Sequence, residues 1–276
     1  MPVILLGIAV GSAALAGFIW RWMRFNIASP APVLSGIRGG ILAFLLWDLL
    51  STAYRPLDEM VSRLRDGQDD ATPVWENTAT FAAGLLLGFV VIASLWTRAR
   101  RTAVAQRPEL VALAAALRCG WAGLCAGLAV GASEVSGSLW LTVLLVLGWA
   151  ALNVFEGAGI VLPYVASEYH GHHASQRPGS SWVVSLAVIA GLPTVAGVLL
   201  GELSEGDVST VACLSLAAGA ATGLLLHWSA EPSPTRVERH GGAAGYAGAL
   251  VSLVALVTLI GGFVASMLVT LGGVGA

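Results

Sequence analysis

Residues 152–163 read Leu-Asn-Val-Phe-Glu-Gly-Ala-Gly-Ile-Val-Leu-Pro, and they lie inside a run, 139–167, in which Glu156 is the single charged residue. A helix over that run spans about 43 Å at 1.5 Å per residue, more than the roughly 30 Å of a bilayer's hydrocarbon core. The apolar residues are continuous rather than alternating, and the run is far longer than the 9–11 residues or so of a barrel strand, so it reads as a membrane-crossing helix. A free carboxylate in hydrocarbon is costly; Glu156 must be neutralised, paired, or given a cation to hold.

The rest of the chain extends this reading. It has 57% hydrophobic and 11% charged residues, with a mean hydropathy of +0.81, far from the roughly 25% charged composition of soluble domains. Eight apolar segments, about 2–20, 35–54, 78–97, 110–132, 139–167, 181–201, 208–228 and 244–272, predict an all-α integral membrane protein of one domain over 1–276. The 34 glycines, scattered along these segments, suit helices packed closely on small residues. The first segment carries no basic residue before its apolar run, which fits a membrane helix better than a cleaved signal.

Short cytoplasmic loops retain positive charge. With both termini outside, the inner loops hold Arg21, Arg24, Arg98, Arg100, Arg101, Arg107, Arg177, Arg236 and Arg239, against Arg55, Arg63 and Arg65 on the other face. The stretch 55–77 is read as beginning with a short amphipathic helix, on which Leu57, Met60, Val61 and Leu64 fall near helical spacing, and otherwise as a solvated loop rather than an acidic mouth that concentrates cations. A net charge of -2 gives no reason to expect nucleic acid as a partner. Cys119, Cys125 and Cys213 lie in apolar runs without metal-ligand spacing and are read as packing residues. No serine motif, intramembrane aspartate pair or phosphate-cradling loop is present, so the chain is not read as an enzyme and requires no resident cofactor.

The order of segments and their motifs resemble the ZIP (Zrt/Irt-like) family of divalent metal transporters. Its fifth helix carries His-Asn-x-Pro-Glu-Gly and a later proline, where this chain has Leu152-Asn153-Val154-Phe155-Glu156-Gly157 and Pro163. In the sixth helix Gly191, Leu192 and Gly197 match, with Thr194 at the family's glutamate. In the fourth, Gly127, Leu128, Ala129 and Gly131 match, while Ala122, Gly123 and Ala126 stand where ligands belong. In the seventh, Ala-Ala-Gly-Ala is kept and His227 and Trp228 occupy acidic positions.

The resemblance implies an eight-helix ZIP-like bundle with extracytoplasmic termini in a bacterial cytoplasmic membrane, forming dimers. It also implies transport of a divalent cation, zinc first, by alternating access near the bilayer centre. The metal ligands it implies are Asn153, Glu156, Thr194, Asp48 and His227. The losses at matched positions suggest an alternative, a transport-inactive relative that binds, senses or scaffolds, and a third, a transporter of changed cargo. Arg118 and Glu156 lie about 12 and 16 Å from the same membrane face, so Arg118 either pairs with Glu156 or snorkels to the headgroups. Asp48 is either a further ligand or gate, or a hydrogen-bonding group between helices. His227 is a ligand or an interfacial ring beside Trp228. His170, His172 and His173 either catch metal at the inner mouth or form a solvated loop.

Overall fold

Glu156 lies in a single 31-residue helix, Leu139–Tyr169, in the computed structural model of the protein. The structure describes residues 3–22, 31–67, 71–104, 108–135, 139–169, 180–204 and 206–230. These form seven helices: α1 Val3–Trp22, α2 Ala31–Arg65, α3 Ala71–Val104, α4 Pro108–Val135, α5 Leu139–Tyr169, α6 Ser180–Glu202 and α7 Asp207–Ala230. There is no strand among the described residues. The expected eighth segment, 244–272, lies outside them.

Six helices, α2 to α7, are long and apolar enough to cross a bilayer, and the described apolar part of α1, Ile4–Gly17, is shorter. The protein is therefore an all-helical, multi-pass membrane protein. On α3, Trp75 is 72% exposed and Trp96 lies 21 residues further on. That spacing is about 31 Å along the helix, close to the thickness of a hydrocarbon core, as suits indoles that favour the two interfaces.

The stretch 55–77, read as mostly loop, is mostly helix. Helix α2 continues through Pro56 to Arg65 and α3 already begins at Ala71. The amphipathic pattern outweighs the charge density: Leu57 is buried and Met60 and Leu64 are half-buried, although Val61 faces out. Asn77 of α3 fastens the extension, its amide donating to the Pro73 carbonyl at 3.0 Å and contacting Met60 Sδ at 3.4 Å. Gly67, with φ of 70°, stops α2, and its N–H returns to the Leu64 carbonyl.

The helices sort into two groups. Helix α1 packs on α5 and α6, and α4 packs on the same two, making a four-helix bundle; α7 packs on α2 and α3. The groups meet along a seam where α4 touches α3 and α7 and α2 touches α5. A core shared by both groups fills it, with Leu42, Leu45, Leu49, Trp149, Leu214 and Leu224 as its bulk. A smaller core, including Ala14, Ala116, Cys119, Ile160, Leu186 and Ala190, belongs to the four-helix group alone.

Because lipid tails are as apolar as the side chains, close backbone approach rather than water exclusion holds such helices together. Gly120, Gly123, Gly127 and Gly131 form a stripe on α4 against α6; a methyl on Gly127 would run into the Thr194 carbonyl and the Val198 nitrogen. Pro193 in α6 has no N–H, which leaves the Ile189 carbonyl without its helical donor, and that carbonyl faces Gly120.

Candidate ion-pair centre

Four helices bring one carboxylate, two guanidiniums and an imidazole together. Glu156 projects from α5 with its side chain 2% exposed. Arg38 of α2 donates from Nη2 to Glu156 Oε1. Arg118 of α4 donates to Glu156 Oε2 from Nε at 3.1 Å and Nη2 at 2.8 Å. The same guanidinium places Nη1 2.5 Å from His227 Nε2 on α7. A guanidinium only donates, so Nε2 meets it with the ring's lone pair.

The local sequence explains each placement. Gly36, Gly39 and Gly40 flank Arg38, and the indole of Trp228 lies over Gly39, where a methyl would collide with it. Trp228 Nε1 also donates to Ser35 Oγ at 2.9 Å, one turn before Gly39. Helix α7 is thereby docked on α2, with His227 and Arg38 on the seam side of the contact. The His227 ring meets Trp96 of α3 edge to face at 5.4 Å.

Both carboxylate oxygens and the imidazole lone pair thus receive hydrogen bonds from arginine. These are the atoms that a divalent cation would need. Asn153, one turn from Glu156, gives its amide Nδ2 to the Val10 carbonyl of α1 at 2.9 Å. Thr194 is fully buried between Gly123 and Gly11, with Oγ1 making no hydrogen bond. Asp48 lies about 15 Å along α2 from Arg38. Its Oδ2 is buried without a hydrogen bond. Ala122 and Ala126, at positions where the resemblance would place ligands, are buried in the shared core and offer no donor atoms.

No three His, Cys, Asp or Glu side chains gather into a metal-holding group among the described residues. His170, His172 and His173 lie outside those residues. No family model matches the chain, and no curated protein matches it.

Arg38 stands outside the loop arginines that set the orientation. Its signal was present: an arginine within an otherwise uncharged run from Phe25 to Trp47 that, on a helix starting at Ala31, lies two turns inside. Thr194 offers a direct check on the packing. Thr194→Val keeps the shape and removes a buried hydroxyl that has no partner, so unfolding free energy is expected to stay level or rise by about 1 kcal/mol. A loss of 2 kcal/mol or so in a denaturant titration would show that the hydroxyl is bonded in the folded protein.

Proposed function

We propose that the chain is a ZIP-like membrane transport protein in which a small solute passes Glu156 as the group α1, α4, α5 and α6 moves against α2, α3 and α7. The observation that carries this reading is the position of Glu156, which belongs to one group and is bonded to a cation of the other. Any shift along the seam must change its partners. The order of apolar segments and the motif around Asn153 and Glu156 support the ZIP-like design. The proposal includes a bacterial cytoplasmic membrane, extracytoplasmic termini and a homodimer.

The proposed cargo is a divalent cation, zinc first. In the arrangement described, Arg38 and Arg118 neutralise Glu156 in the cation's stead, so metal reaches the carboxylate only when the guanidiniums withdraw. A second reading is favoured by the saturated carboxylate and by Ala122 and Ala126: a relative that moves no divalent metal and serves in binding, sensing or scaffolding, or that carries an organic or monovalent solute.

Zinc and cadmium influx into proteoliposomes, with the native protein and Glu156→Gln side by side, separates these readings. Influx that the substitution abolishes is the expected result. If neither protein moves metal while the substitution lowers the melting temperature, the glutamate is structural and the second reading holds.

A further inference from the structure

Among the described residues, side-chain bonds cross the seam at one end from Arg38 of α2 to Glu156 of α5 and from Arg118 of α4 to His227 of α7. Arg118 to Glu156 stays inside the four-helix group. Glu156 therefore shares its charge between a partner that travels with it and one that does not. Beyond the cluster, the core shared by the two groups continues along α4 and α7 with Ala122, Cys125, Ala126, Ala129, Ala217 and Ala221 beside Val130, Leu214 and Leu224. Lipid tails are as apolar as these side chains, so packing alone carries the seam beyond the cluster, and the polar bonds add to it at this end.

We propose that Arg38 is a latch of this seam: its bond to Glu156 holds the two helix groups at this end beside the Arg118–His227 contact, and its release loosens the seam from there while both groups keep their internal packing. The inference rests on the two-group reading above but not on the nature of any cargo. Breaking the bond at Arg38 leaves Glu156 paired with Arg118, so the carboxylate is not stranded. The opposite choice, removal of Glu156, takes from both guanidiniums the carboxylate they share and tests stability rather than opening.

The protein carries its own reporters. Cys125 lies in the core shared by the groups, whereas Cys119 lies in the core of the four-helix group alone, and both are fully buried. Cys125 is seven residues past Arg118, about 10 Å deeper along α4. Opening of the seam exposes Cys125 and spares Cys119; loosening of the fold exposes both.

The test measures mixed-disulfide formation with a small cationic methanethiosulfonate reagent, which transfers its alkylthio group to the cysteine and releases methanesulfinate, with the full chain in lipid nanodiscs and each site resolved by peptide mass spectrometry. Arg38→Gln is expected to speed labelling of Cys125 at least tenfold and to leave Cys119 at the native rate. Arg38→Lys, which keeps a shorter cation at the site, is expected to fall between Gln and native at Cys125. Equal Cys125 rates in native, Lys and Gln proteins would overturn the proposal, as would Cys119 and Cys125 accelerating together. Should Arg38→Gln not fold, the comparison of native with Arg38→Lys decides: a Cys125 rate raised by less than twofold overturns the latch.

Discussion

Replacing Glu156 with alanine is expected to remove about 3–5 kcal/mol of unfolding free energy, the range for breaking a buried ion pair by deleting one partner. The loss comes from what remains: Arg38 and Arg118, whose side chains are 13% and 10% exposed, stay behind without the carboxylate that both address. Burying two like charges side by side is worse than burying neither. Replacing all three residues with methionine is accordingly expected to return stability to within about 2 kcal/mol of the native protein, since well-packed apolar groups of similar volume often match a buried ionic cluster. Denaturant titration in bicelles measures both. A Glu156→Ala protein within about 0.5 kcal/mol of native would mean that the guanidiniums are already solvated elsewhere.

The second large effect is steric. Gly127 sits where α4 and α6 touch backbone to backbone, and any side chain there meets the Thr194 carbonyl and Val198 before it meets space. Gly127→Leu is expected to cost about 3 kcal/mol or to prevent assembly of the four-helix group, at or beyond the upper end of overpacking costs. Gly159 on α5 is the control: a methyl built there meets nothing within 4 Å. Gly159→Ala is expected to raise stability by about 0.5–1 kcal/mol through helix propensity alone. Opposite signs at two helical glycines would show that contact, not composition, decides; equal small effects at both would contradict the close approach of α4 and α6.

Much of the helical framework was legible because continuous apolar runs of bilayer length admit few other structures. Boundaries were not, where charge density and periodicity disagreed. The acidic stretch after Tyr54 looked like loop by composition, yet Leu57, Met60 and Leu64 keep one face apolar and α2 runs on to Arg65. Within the centre, counting residues from a membrane face gives a level for a side chain but not a direction. Equal depth put Arg118 and Glu156 on one level; that His227 and Arg38 reach the same point depends on Trp228 docking over Gly39 and on Ser35, contacts between elements almost two hundred residues apart in sequence. Asn153 shows the same limit. Its spacing from Glu156 gave one helix face, but packing of α1 against α5 sends its amide to the Val10 carbonyl.

The account rests on one bond across the seam, between Arg38 and Glu156. A double-mutant cycle on unfolding free energy, using Arg38→Met, Glu156→Gln and the pair together, measures it most directly, because effects common to each single change cancel. A favourable coupling of at least about 1 kcal/mol is the result predicted for a part-buried charge-assisted bond. Additive effects, within about 0.5 kcal/mol, would mean that Arg38 and Glu156 do not meet in the folded protein, and the description of the centre would fail with them.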